Sequence, residues 1–131
     1  YLMKWVNTDN SSEKVSLNEA LLSNMASNGG LWLPEIIPTF DNEWLDKIDT
    51  LTNIEICCEI MNKFFQDNIS TSTIKNIVRS AITFDIPFKR LDKNDYILEL
   101  FHGPTLAFKD FGTRVMAEIF KHLVKAHVWR M

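Results

Sequence analysis

A β-like run over 96–101, Tyr96-Ile97-Leu98-Glu99-Leu100-Phe101, breaks at Gly103-Pro104, and an apolar helix is predicted to start at Lys109 or Asp110 and run to the mid-120s. That helix carries Phe111, Val115, Met116, Ile119, Phe120 and Leu123, so it is apolar over a broad face. Such a face must be buried against something. One strand and one helix cannot make a parallel sheet, because a βαβ unit needs its second strand. Only Lys125-Ala126-His127-Val128-Trp129-Arg130-Met131 comes after it. The chain therefore reads as an α/β domain interrupted in its middle. Tyr1 is not an initiator residue, which implies further residues upstream.

The rest of the chain predicts a mainly helical piece with a few short strands. A strand is expected within 1–6 and another at Leu31-Trp32-Leu33, closed by Pro34. Ser16-Leu17-Asn18-Glu19 is a capping box with Val15 placed as a staple. Its helix should bury Leu17, Leu21 and Met25 and stop at Asn28-Gly29-Gly30. Asp41 can cap a short helix through Trp44, Leu45 and Ile48. Thr52-Asn53-Ile54-Glu55 is a second capping box, and the stripe Ile54, Cys57, Cys58, Met61, Phe64 and Phe65 runs along its helix. Ser70 should cap a helix with the stripe Ile74, Ile77, Val78, Ala81 and Ile82, and Ile69 and Ile74 sit at staple positions. A helical subdomain over 1–90 is expected to lead into the incomplete start of a second domain over 91–131.

Several function classes are excluded. The net charge is -3, without a basic block, so nucleic acid is not an expected partner. Trp5, Trp32 and Trp44 are expected as core or subdomain contacts, with no basic groove to make them a base-stacking platform. No apolar run is long enough for a membrane helix, and no signal-peptide core precedes Trp5. The two cysteines, Cys57 and Cys58, are neighbours; they lack metal-ligand spacing and fit reduced core thiols of a cytoplasmic protein. His122 and His127 are five apart, the wrong spacing for one helical metal face, and are expected at the surface. No metal site is expected.

The residue that draws attention is Lys109, at the predicted start of the last helix and between Phe108 and Phe111. Most lysines in a helix's first turn are simply solvated. A second reading is an amine held half-buried for chemistry. Burial lowers a lysine pKa, and Phe108, Phe111 and Leu106 are suitable neighbours for it. The positive potential of a helix start acts in the same direction. Asp110 opposes both unless its side chain turns to cap the helix or to bond another group. Arg114, four residues on, is expected to pair with Asp110. Thr105 offers a hydroxyl beside the Gly103-Pro104 turn, for a ligand or for the turn itself. His102 can contact a substrate or form a structural hydrogen bond.

The segment His102-Gly103-Pro104-Thr105-Leu106-Ala107-Phe108-Lys109-Asp110-Phe111-Gly112 closely resembles the cofactor-lysine motif of threonine synthases. Val15-Ser16-Leu17-Asn18-Glu19-Ala20 and Ala26-Ser27-Asn28-Gly29-Gly30-Leu31-Trp32-Leu33-Pro34 resemble the opening pattern of that family, in the right order. The resemblance implies an α/β enzyme of the tryptophan-synthase-β type, fold type II of the pyridoxal 5′-phosphate (PLP) enzymes. Such enzymes convert O-phosphohomoserine and water into threonine and phosphate. It implies that Lys109 forms the internal aldimine and later shuttles protons, with Phe108 and Asp110 beside the cofactor, Thr105 toward the substrate, and His102 toward the substrate or the cofactor phosphate.

In the family a strand and a Gly/Ser/Thr-rich loop come next and hold the cofactor phosphate. The last glycine here is Gly112, and 127–131 does not match the family pattern. Three readings stay open: the N-terminal part of a threonine synthase, inactive by itself; a related PLP-dependent phospholyase; or a non-catalytic remnant that serves as an interaction module. In the first, the remainder of the PLP domain is expected to cover the last helix.

Overall fold

The computed structural model describes residues 2–128, the last four by backbone alone. The element order is β1 (Trp5–Asn7), β2 (Asn10–Val15), α1 (Leu17–Ser23), β3 (Trp32–Pro34), α2 (Asn42–Leu45), a 3-10 turn (Ile48–Thr50), α3 (Asn53–Phe65), α4 (Thr71–Ala81), β4 (Phe88–Arg90), β5 (Tyr96–Leu98) and α5 (Lys109–Val128). The order is that of a small mixed piece of helices and strands, and the strands are short, as expected. His122, expected at the surface, is half-buried on α5. The reading of His127 as a surface residue lies outside the described side chains, and 129–131 lie outside the described residues.

The chain divides into two compact units, Tyr1–Ile74 and Lys75–Met131. The division falls within α4. The physical reason is that the end of α4 is tied to the later segments: Arg114 Nε donates to Ala81 O at 2.6 Å, and Phe84 packs edge-on against Phe111 at 5.1 Å.

The first unit is built on an antiparallel sheet of order β2-β1-β3, with Val6 opposite Lys14 on one side and Leu33 on the other. β2 is not among the expected strands. Its sequence, Asn10-Ser11-Ser12-Glu13-Lys14-Val15, has no apolar alternation, and it is an edge strand held by its pairing to β1. α1 has its capping box: Ser16 Oγ accepts from Glu19 N, and Glu19 Oε2 accepts from Ser16 N at 2.8 Å. Leu17 and Ala20 are buried as its inner face. The helix ends at Ser23, five residues before Asn28, because Asn24 turns the chain at φ 62. Met25 therefore lies beyond the helix and is exposed, contrary to expectation.

Asn28-Gly29-Gly30 has a different task. Asn7 is buried; its Nδ2 donates to Glu13 Oε2 at 2.7 Å and to Asn28 Oδ1 at 2.9 Å, and its Oδ1 accepts from Asp9 N at 2.9 Å. Gly30 lies against this amide, leaving no room for a side chain. Gly29 takes φ +91 in the same turn.

α3 has the second capping box, and the expected stripe is its least exposed face, with Met61 buried and the other five half-buried. Cys57 and Cys58 are thus half-buried and not core, and neither is in a disulfide. Burial, and then the neighbouring Cys58, push the Cys57 thiol up. Trp5 stacks on Phe65 and Phe40 lies against Trp44, which makes both tryptophans packing residues. Trp32 Nε1 donates to Ser23 Oγ at 2.9 Å. Ser70 Oγ accepts from Thr73 N and starts α4 as expected. Ile69 and the whole stripe from Ile74 to Ile82 are buried.

In the second unit, β4 and β5 form an antiparallel hairpin with Lys89 opposite Ile97. The strand predicted over 96–101 stops at Leu98. β4 is also not among the expected strands, since a three-residue strand with Lys89 at its centre has no periodicity to read. α5 starts at Lys109 as expected. Its Ile119 is buried, while Met116 and Val124 are exposed.

Candidate active site

The segment leading into α5 is a tight structure held by short contacts. Leu106 N donates to Gly103 O at 3.0 Å, closing a turn with Pro104 at its second position. Leu106 then takes φ 58, a left-handed conformation that ordinary residues seldom adopt. Asp110 N donates to Ala107 O and Phe111 N to Phe108 O, so the helix begins with tightened bonds.

Asp110 is the buried member of this group, at 3% exposure. Its Oδ2 accepts from Thr105 N at 2.8 Å. The side chain has therefore turned back to the loop instead of facing Lys109. The expected Asp110–Arg114 pair does not form. Arg114 instead donates to Ala81 O, to Ser80 O and to Thr83 Oγ1 at the end of α4. Those carbonyls are the unbonded end of a helix, where a cation is doubly favoured.

Lys109 itself is exposed. Phe108 is 65% and Leu106 75% exposed, so the expected desolvation of the amine by these neighbours is not present in this chain. Among the described residues no carboxylate lies within ion-pair distance of Lys109. What the fold does provide is an unengaged primary amine at the first residue of a helix, with the adjacent carboxylate occupied elsewhere. Phe108 stands beside it as an exposed ring, and the side chain of Thr105 is exposed on the turn.

His102 lies at the edge of the hairpin. Its Nε2 is 2.7 Å from Glu99 Oε2, and its ring stacks on Phe101. Glu99 also holds Lys89 at 3.1 Å. Glu99 is the partner of His102 that sequence reasoning misses; its place three residues before His102 is the one available signal. The His102 contact and then the Lys89 contact hold the Glu99 carboxyl below its ordinary value. A carboxyl lowered on folding stabilises above its unfolded pKa, and that contribution is lost as pH falls through the folded value. Glu99→Gln should therefore lower the melting temperature near neutrality, with the gap from the parent chain closing as pH drops through the carboxylate range. Paired thermal melts across pH check this; a gap that stays constant would contradict it.

Among the described residues no His, Cys, Asp and Glu cluster could hold a metal, and no helix is long and apolar enough to cross a membrane.

Residues 4–82 match the family model described as "Threonine synthase N terminus". The chain is 36% identical over 121 residues to the threonine synthase of Escherichia coli, which covers 92% of this chain and 28% of that protein. The crystal structure of the Escherichia coli enzyme superposes with a TM-score of 0.88 at 35% identity, over 93% of this chain and 28% of that one. A structure of "PLP bound Threonine synthase" from Brucella melitensis superposes with a TM-score of 0.87 at 31% identity, over 95% of this chain and 28% of that one. The chain thus spans between a quarter and a third of the length of these relatives.

Proposed function

From the premise that this chain belongs to the threonine synthase family, as its N-terminal portion, we propose that Lys109 is the residue that holds PLP in a threonine synthase of fold type II. The reaction is conversion of O-phospho-L-homoserine and water to L-threonine and phosphate, in the cytoplasm. The observation that carries this reading is the state of Lys109: a primary amine at the start of α5, without a carboxylate partner among the described residues, in a turn whose own carboxylate is bonded to Thr105 N. Covalent capture of an aldehyde needs such an amine, uncharged when it attacks and not held by an acid. The donor set here therefore fits the aldehyde end of the cofactor.

When bound, PLP supplies an electron sink for the negative charge that develops as protons leave the substrate. Lys109 holds the cofactor by its ε-amine. When not holding the cofactor, the Lys109 nitrogen would take up and return protons beside the reacting carbons. Phe108 flanks the cofactor with an apolar face. The Thr105 hydroxyl and His102, the latter oriented by Glu99, contact the substrate. Residues 91–131 open the cofactor domain, and the remainder of that domain covers α5, which accounts for the exposed Met116 and Val124. The isolated chain is inactive in this reading.

The test is a graft. Residues 4–124 replace the matching segment of the Escherichia coli threonine synthase, and threonine formation from O-phosphohomoserine is assayed. The graft should be active, and Lys109→Ala in it should reduce turnover by at least about a thousandfold, the scale of losing a nucleophile and proton shuttle. A folded graft whose activity survives Lys109→Ala would overturn the assignment.

A further inference from the structure

Asp110 is a charged side chain that is almost wholly buried, and nothing in the proposed chemistry uses it. The pieces around it are specific. Its Oδ2 accepts from Thr105 N at 2.8 Å, and a Cβ on Gly103 would stand 2.4 Å from that oxygen and 2.7 Å from Asp110 Cβ. Gly103 is itself buried, and its carbonyl closes the turn on Leu106 N. Leu106 is left at φ 58 with 75% of its surface exposed, so burial of its own side chain does not hold it there. A residue in that region persists only when its surroundings over-determine it. The bonds at hand are the Gly103–Leu106 turn and the Asp110–Thr105 contact on either side of it.

We infer that Asp110 is a positioning residue: its carboxylate clamps the Gly103–Leu106 turn from within α5 and thereby fixes where the preceding residue, Lys109, presents its amine. The inference rests on the reading of Lys109 given above and deepens it. It changes the role expected for Asp110 from a neighbour of the cofactor to a strut under the lysine. Gly103 belongs to the same device, since only a residue without a side chain lets the carboxylate reach Thr105 N. Among the described residues the arrangement also leaves Lys109 without an acid beside it, because the carboxylate next in sequence is held by a backbone donor.

The test uses the whole 131-residue chain with Asp110→Ala, Asp110→Asn and Gly103→Ala, and two readouts. The first is hydrogen exchange at the Thr105 amide, which needs no cofactor. The second is the rate at which PLP with borohydride labels Lys109 relative to the exposed Lys75. Asp110→Ala and Gly103→Ala should each speed Thr105 exchange by about tenfold or more, the scale of losing a bond to a charged acceptor, and cut the relative labelling of Lys109 at least severalfold. Asp110→Asn keeps an oxygen acceptor and should restore most of both. Faster exchange with unchanged labelling would overturn the inference, as would an Asn variant as impaired as the Ala variant. If Asp110→Ala fails to fold, the Gly103→Ala and Asn pair decides by the same two readouts. Parent chain in which Lys109 is labelled no faster than Lys75 would instead strike at the reading of Lys109, and the clamp's purpose would fall with it.

Discussion

Ile74→Ala should lower the stability of this chain by about 2–5 kcal/mol, the range for removing a buried isoleucine's outer carbons from a packed core. Ile74 has 0% exposure and is the first buried residue of the α4 stripe. Its neighbours in that stripe, Ile77, Val78 and Ala81, are all buried. A fully buried side chain leaves a space that packed surroundings fill only in part, so part of the cost is an unfilled cavity. In a chain of this size the loss corresponds to a fall in melting temperature of roughly 10 °C or more. The control is Leu22→Ala, at a residue that is 71% exposed, which should change the melting temperature by only about a degree or two. Equal effects from the two substitutions would mean that α4 is not the core helix.

The second large effect is expected at Gly30→Ala. The added Cβ would come within 2 Å of Asn7 Oδ1, at 1.9 Å. Asn7 cannot yield cheaply, because its amide is bonded to Glu13, Asn28 and the Asp9 backbone and has 1% exposure. Moving it leaves buried polar groups without partners, and that penalty adds to the steric one. The expected destabilisation is about 3 kcal/mol, read by chemical denaturation. The informative comparison is Gly29→Ala. Gly29 has open space around its Cβ position but φ +91, so its cost is backbone strain alone, about 1–2 kcal/mol. Finding Gly30 the more tolerant of the two would contradict the packing described here.

The features legible in the sequence are local. The capping boxes at Ser16 and Thr52, the α4 stripe and the start of α5 at Lys109 each depend on residues within a few positions of one another. The misses are contacts made at a distance, or choices between two local options. β2 and β4 owe their existence to partner strands and not to their own composition. Arg114 has an acid four residues back, yet it bonds the end of α4, 33 residues away. That choice reflects a competition for Asp110 that spacing cannot decide: once Thr105 N holds the carboxylate, the guanidinium turns to the free carbonyls of α4. Met25 is lost from the core because Asn24 takes a positive φ, which a helical periodicity does not register. For the candidate site, the motif points to the amine, while its exposure is not legible. Leu106 and Phe108 are apolar, but their burial depends on what packs over them.

The central claim concerns which side chain takes the cofactor, and one measurement addresses it directly. The Escherichia coli enzyme carrying residues 4–124 of this chain is loaded with PLP, reduced with borohydride, digested and mapped by mass spectrometry. The account predicts a single stoichiometric adduct on the peptide containing Lys109. A stoichiometric adduct on any other lysine, with Lys109 unmodified, would contradict it.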